Sequence, residues 1–227
     1  MPLTSSPAFE AALDAAIQRT RGRYRGWNLN TWCYGSWKLA LDPCYRAVAP
    51  FIAPDSLTVD LGSGFGLLAG VLARLGEGRR VHGVEYDRTK HRAALRATRD
   101  LPEVRLECGD IRTFDLPACQ TITCLDVLHY LDVPAQRDLL RRAAAALLPG
   151  GRILIRETDA GLQGGTRFTR GFERFALAFG FNRGPRPCFR TRDEWVQELR
   201  EAGFHVDVSE VANRMNPGNL LLVGERA

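Results

Sequence analysis

The run Val59-Asp60-Leu61-Gly62-Ser63-Gly64-Phe65-Gly66 ends a short apolar strand in alternate glycines, and an apolar helix over Leu67–Leu75 follows at once. No other feature restricts the fold as strongly. Strand, glycine turn and helix in direct succession open a βαβ unit, which requires a right-handed crossover to a parallel neighbour. The pattern then repeats. Strands are read at Arg80–Glu85, Val104–Glu107, Thr121–Asp126 and Arg152–Glu157, with helices at Asp87–Arg99 and Pro134–Leu147. A helix at Arg192–Ala202 precedes two strand-like runs, Phe204–Val211 and Leu220–Gly224, which a turn at Asn216-Pro217-Gly218 would make antiparallel neighbours. The alternation predicts an α/β fold, a doubly wound and mostly parallel seven-stranded sheet with a C-terminal antiparallel strand.

Residues 1–50 read as a helical and aromatic cap ahead of the main domain, residues 51–227, which carries an insertion at about 160–190. The cap opens with a helix near Pro7–Arg19, apolar at Phe9, Leu13, Ala16 and Ile17. With 45% apolar residues among 227, the chain can bury a full core, which excludes wholesale disorder. No apolar run approaches the ~20 residues a bilayer span needs. Met1–Pro7 lacks a basic segment followed by an apolar one, so a soluble, cytoplasmic protein without a secretory signal is expected. The six cysteines form no C-x-x-C pair and the four histidines are scattered, so neither disulfides nor a metal site is expected. The net charge is +5, and Lys38 and Lys90 are the only lysines. Much of the basic charge is local: Arg167, Arg170, Arg174, Arg183, Arg186, Arg190 and Arg192 face only Glu173.

In a sheet of this kind, ligands bind beyond the carboxyl ends of the strands. Gly62 and Gly64 permit a tight turn with close backbone approach, Gly66 lets the helix pack closely, and the helix N-terminus offers free N–H donors. A dinucleotide site would need glycine at position 67, where Leu67 stands, and would gain nothing from Asp60 below the turn. A cofactor carrying ammonium and sulfonium charges gains from that carboxylate. Glu85 ends the second strand about 20 residues beyond the turn, where an acid can clasp two ribose hydroxyls.

Val59–Gly66, the strand ending at Glu85, Gly109-Asp110-Ile111, Thr121–Asp126 and Leu148-Pro149-Gly150-Gly151 together resemble the ordered motifs of the class I S-adenosylmethionine-dependent methyltransferases, which have a Rossmann-like sheet. The resemblance covers roughly residues 55–227. It implies S-adenosylmethionine as cofactor, S-adenosylhomocysteine as product and no metal. It also implies that Asp60 organises the turn, that Gly62, Ser63, Gly64 and Gly66 line the methionine moiety, and that Glu85 takes the ribose. Tyr86, Asp110 and Ile111 would surround the adenine, and Asp126 and Val127 would lie beside the sulfonium.

The residues just after the fourth strand bear on the acceptor. Leu125-Asp126-Val127-Leu128-His129-Tyr130 matches neither the Asn/Asp-Pro-Pro-aromatic run of DNA amine methylation nor the Pro-Cys of cytosine methylation. Pro187-Cys188 is read as lying far from that strand's end. The Asp-Val-Leu-His run is instead similar to methyltransferases acting on small molecules and lipids. His129 is the candidate general base, its alternative being a packing role in the turn. Glu157 is the second candidate, its alternative a surface charge at a strand end. Tyr24, Trp27, Trp32, Tyr34 and Trp37 suit an aromatic or greasy acceptor, or the core of the cap. Gly35–Pro43 is similar to a segment of methyltransferases encoded with aryl-polyene pigment pathways. Phe168, Phe172, Phe175 and Phe179 share one helix face flanked by Arg167, Arg170 and Arg174, a lid suited to an acidic acyl carrier protein, a carboxylate tail or anionic lipid. The expected reaction is O-methylation of a small aromatic or acyl-type metabolite, free or carrier-bound. Nucleic acid is disfavoured as substrate. RNA or protein methylation, or a non-catalytic cofactor-binding subunit, are the competing readings.

Overall fold

The computed structural model describes residues 2, 6–25, 29–162, 187–211 and 218–226. Trp27, the expected lid helix with Phe168 and Phe172, and Asn216-Pro217 of the expected turn lie outside the described residues.

The chain enters through α1 (Pro7–Gly22), α2 (Leu29–Leu41) and α3 (Cys44–Val48). It then alternates through β1 (Leu57–Leu61), α4 (Leu67–Leu75), β2 (Arg80–Glu85), α5 (Arg88–Ala97), β3 (Val104–Cys108) and β4 (Cys119–Leu125). α6 (Val133–Ala146), β5 (Leu147–Thr158), α7 (Arg192–Glu201), β6 (Phe204–Glu210) and β7 (Asn219–Arg226) complete it. The seven strands lie in the order β3-β2-β1-β4-β5-β7-β6, and β7 runs antiparallel to both of its neighbours. The order reverses between β1 and β4, so the cleft at a topological switch point opens beyond Leu61 and Leu125.

Strand sequence explains the two-layered core. Alternate residues point to opposite faces, so Ile153, Ile155, Leu220 and Leu222 join α6 and α7, whereas Leu154, Leu221 and Val223 join the layer of α1 and α4. Both faces are covered, which is why these strands read as continuous apolar runs. Leu13, Ala16 and Ile17 of α1 belong to the same buried cluster as Leu68 and Leu72 of α4. Helix starts are set by local chemistry: Asp87 caps α5 by accepting from Thr89 N–H and Lys90 N–H, Asp132 accepts from Ala135 N–H, and Thr191 and Glu194 form a reciprocal capping box.

Two sequence expectations change. The aromatic stretch after Tyr24 forms a helix, α2, whose Gly35 sits on the Tyr24 ring; a Cβ there would be 3.2 Å from that ring. β5 begins at Leu147 rather than Arg152, because Leu147 still pairs with Cys119 before the register shifts and the chain kinks through Gly150 (φ +73°). Among the described residues no helix is long and apolar enough to cross a membrane.

Candidate active site

The cleft is first built from backbone. Gly62, Gly64 and Gly66 all have left-handed φ, at +75°, +56° and +72°, where any other residue is strained. Gly62 N–H and Ser63 N–H donate to Val84 O at 2.9 and 3.0 Å, which pins the turn over β2. A Cβ on Gly62 would stand 2.3 Å from Val127 Cγ2, and one on Gly66 would stand 2.9 Å from Ala94 Cβ. A Cβ on Gly64 would meet nothing nearer than 3.9 Å, so the turn is open there. Gly83 also proves necessary, since a Cβ at that position would press on the Ser63 side chain at 2.9 Å.

Glu85 closes β2, buried, with each carboxylate oxygen already oriented. Gly64 N–H donates to Oε2 and Asp87 N–H to Oε1, both at 2.8 Å. Each oxygen thereby keeps one lone pair for a further donor. Asp60, only 3% exposed, sits under the turn and accepts the Thr123 hydroxyl at 2.6 Å. Burial pushes its carboxyl up to about 6, and the nearby Glu85 adds to the effect. Tyr86 stands out into solvent. Asp110 receives the Arg112 guanidinium on both oxygens, and those bonds hold its carboxyl below the ordinary range, while Ile111 is buried beside it.

On the far side of the switch point the site is made of side chains. His129 lies in a single turn of 3₁₀ helix, Leu128–Tyr130, directly after β4. Its Nδ1 is 2.7 Å from Glu157 Oε2, while Val127 N–H and His129 N–H donate to Glu157 Oε1 at 3.1 and 3.3 Å. Glu157 is 1% exposed, which removes its reading as a surface charge: a carboxylate at the end of a central strand is covered on both faces. Burial by itself would lower the His129 pKa, but the facing Glu157 carboxylate outweighs it and the net shift is upward.

Asp126 adopts a left-handed φ of +61° and is held there by charge. Arg156 Nε donates to Asp126 Oδ1 at 2.9 Å, the same guanidinium also meets Oδ2, and Lys38 Nζ reaches Oδ2 at 3.2 Å. Lys38 and Arg156 both continue to Asp42, Lys38 at 2.8 Å. Two cations and two carboxylates thus form a neutral quartet, buried at Lys38, Asp42 and Arg156 and part-exposed at Asp126, that ties α2 to the ends of β4 and β5. Burial would raise the Asp126 pKa, but Arg156 and Lys38 reverse that and hold it far below the carboxylate range.

The proposed acceptor residues fall in different places. Tyr24 is buried and donates its hydroxyl to Phe65 O at 2.6 Å, and Tyr34 packs on the Phe65 ring at 5.2 Å, so both support the glycine turn. Trp32 points outward and Trp37 is half-buried, because the helical turn of α2 distributes the aromatic residues around its axis. Pro187-Cys188 corrects a further expectation. Although remote in sequence from β4, this segment returns to it, and Cys188 N–H donates to His129 O at 2.7 Å. Sequence reasoning did not single out Lys38, Asp42 and Arg156. The available signal was an arginine-glutamate pair directly after the apolar run Ile153-Leu154-Ile155, together with Lys38 near the end of α2 and Asp42 four residues on, just past it.

Residues 58–151 match the family model described as a methyltransferase domain. The chain is 36% identical over 110 residues to an uncharacterized 37.1 kDa protein in transposon TN4556 from Streptomyces fradiae, covering 47% of this chain and 31% of that protein. It is 34% identical over 122 residues to the acetylserotonin O-methyltransferase of Mus musculus molossinus, covering 50% of this chain and 31% of that enzyme. The matched stretch therefore spans about a third of these relatives' length. Among solved structures, the pyocyanin biosynthetic protein PhzM superposes with a TM-score of 0.68 at 17% identity, over 90% of this chain and 60% of that one. An O-methyltransferase family 2 protein from Planctomyces limnophilus, in complex with apigenin, gives 0.67 at 18% identity, over 96% and 65%. These structures share the fold of the sheet and its flanking helices. Residues 58–151 therefore carry the sequence of a methyltransferase domain, and the sheet they build has the fold of these methyltransferase structures.

Proposed function

We propose that the chain transfers a methyl group from S-adenosylmethionine to an oxygen of a small aromatic or acyl-type acceptor. The observation that carries this reading is the pairing of His129 with buried Glu157 at 2.7 Å, beside the residue that packs on the cofactor turn. The cradle fits the cofactor. The turn is open over Gly64, the remaining lone pairs of Glu85 can accept a diol, and Asp60 places a carboxylate beneath a cationic ligand. When bound, S-adenosylmethionine supplies an electrophilic methyl group on a positively charged sulfur.

The protein's own residues do the rest. With Glu157 accepting from Nδ1–H, Nε2 becomes the basic nitrogen of His129 and can take the proton of a phenol or carboxylic acid. Glu157 stabilises the imidazolium that results, and its two backbone N–H donors keep it from rotating away. The glycine turn and Glu85 orient one reactant and the β4 end the other, so the alignment is set before the reaction. Because the base must be unprotonated and its pKa is raised, the rate rises through a pH above 6.5.

Oxygen and a small acceptor are supported by the partial sequence match to acetylserotonin O-methyltransferase and by the shared fold of the apigenin complex. An acidic acyl carrier protein as partner rests on the arginine-rich 167–192 sequence alone. The test uses methyl-labelled S-adenosylmethionine, purified protein, and a panel of phenols and carboxylic acids beside a cell extract. Label in the solvent-extractable fraction supports a free acceptor. Label released from protein by thioester-cleaving base supports a carrier-bound one. Cofactor binding by calorimetry with no labelled product in any fraction would overturn catalysis and leave a binding subunit.

A further inference from the structure

The segment Pro187–Arg190, which returns the chain from the insertion, is fastened to the turn that carries His129. Gln136 of α6 is fully buried, and the two hydrogens of its side-chain Nε2 are shared among Leu128 O at 3.0 Å, Leu131 O at 3.1 Å and Cys188 O at 3.2 Å. The first two carbonyls bracket His129, and the third belongs to the returning segment. The Gln136 carbonyl accepts from Arg190 Nε at 2.6 Å, and Arg190 continues to Glu198 of α7 at 3.0 Å while lying over the Trp195 ring. Between these fastenings, the Phe189 ring stacks on the His129 imidazole, with centroids 4.9 Å apart and planes 20° apart. Cys188 N–H completes the contact on His129 O.

We infer that Gln136, fixed by Arg190, and Phe189 are positioning residues for His129. They hold its ring in the plane in which Nδ1 faces Glu157, and so tie the placement of the returning segment to the proton acceptor. This deepens the methyltransferase reading and rests on it. The reason is geometric. A ring hydrogen-bonded through one nitrogen can still swing about its side-chain torsions, and a near-parallel aromatic neighbour 4.9 Å away removes that freedom. A backbone turn of three residues has few internal bonds, and one amide spanning Leu128 O and Leu131 O fixes it from outside. A purely structural role for Gln136 would need no stacked ring beside it.

The charged groups that raise the His129 titration are Glu157, foremost, and Asp126 at the strand ends; Tyr130 packs on the ring from its own turn, and Cys188 and Arg190 stand on the returning segment that bonds to this turn and to Gln136. Two variants separate the contributions: Gln136→Met removes the clamp, and Phe189→Ala removes only the stacked ring. For each, the titration of His129 is followed by NMR in cofactor-free protein, with His129→Ala to assign its signal, and kcat and KM are measured with the acceptor that the labelling assay identifies. Gln136→Met is expected to lower kcat about tenfold and Phe189→Ala about threefold. Both should leave cofactor KM within twofold and move the His129 titration toward its ordinary value. Native-like circular dichroism with unchanged titration and kcat in Phe189→Ala would overturn the inference, even if Gln136→Met fails to fold. A His129 titration that moves in both variants, while the wild-type protein transfers no methyl group, would retain the positioning role and overturn the methyltransferase reading instead.

Discussion

Around the end of β1, the cleft is made of backbone. Three left-handed glycines, two peptide N–H groups on Val84 O and two more on Glu85 shape it, within a short stretch of chain. Around the ends of β4 and β5, it is made of charged side chains drawn from Lys38, Asp42, Asp126, His129, Arg156 and Glu157. The first half uses geometry that few sequences can adopt and tolerates almost no added atoms. The second uses desolvated charge, which tolerates no missing partner. Such a division is what the proposed function, with one fixed cofactor and one variable acceptor, requires.

The sharpest test removes the proposed proton acceptor. His129→Ala should lower turnover by about 10²–10⁴ and leave cofactor affinity unchanged by calorimetry; a wild-type rate would dissolve the division of labour. Next, Arg156→Met leaves Asp42 and Asp126 with Lys38 as their only quartet cation, and removing one partner of a buried pair costs about 3–5 kcal/mol. Guanidinium unfolding should show that loss, and an additional Asp126→Asn should return part of it. If the single variant lost less than about 1 kcal/mol, the value of an exposed pair, the charged half would be held by packing, like the other.

On the backbone side, Gly62→Ala combines a left-handed φ with a contact at 2.3 Å and should cost about 3 kcal/mol of stability. Val127→Ala in the same chain should recover the steric share only, so a double-mutant cycle with no coupling would show that the two halves do not touch. The effect spread most thinly is in pH. The Asp60 carboxyl rises from 3.8 to about 6 on folding, so the folded chain holds that proton more tightly than the unfolded one. Its contribution to stability is complete below pH 3.8 and is lost as the pH rises through 6. The decline is at most about 1.4 kcal/mol per pH unit. Asp60→Asn should flatten it in urea unfolding followed across that window, and an unaltered slope would take the effect away from Asp60.

The same division decided what could be read from the sequence. Alternate glycines, the acid ending a second strand and the strand-helix alternation are local patterns, and the strands fall within a few residues of their expected bounds except at β5. His129 and Glu157 were each visible as candidates, but their pairing joins positions that are neighbours only because β4 and β5 are adjacent and parallel. The quartet was not read at all, because its meaning lies in burial: Arg156 on an exposed strand edge would be ordinary, whereas at 2% exposure it needs two carboxylates. The aromatic stretch misled for a related reason. Composition grouped Trp32, Tyr34 and Trp37, and helical geometry separated them.

Val127 has a consequence for how a domain like this changes over time. Its side chain fills the space that Gly62 leaves, so the wall of one compartment is also the ceiling of the other. An exposed side chain such as Trp32 can be exchanged without disturbing the glycine turn, whereas Tyr34 on the Phe65 ring, Lys38 and Asp42 in the quartet, and Phe189 and Arg190 beside His129 are each tied to other groups. Position 127 lacks the latitude of Trp32: enlarging it displaces the glycine turn, and shrinking it opens a void above a glycine that cannot accept a side chain without strain. Under the proposed function, a library aimed at altered specificity should vary the periphery and spare that residue and its glycine.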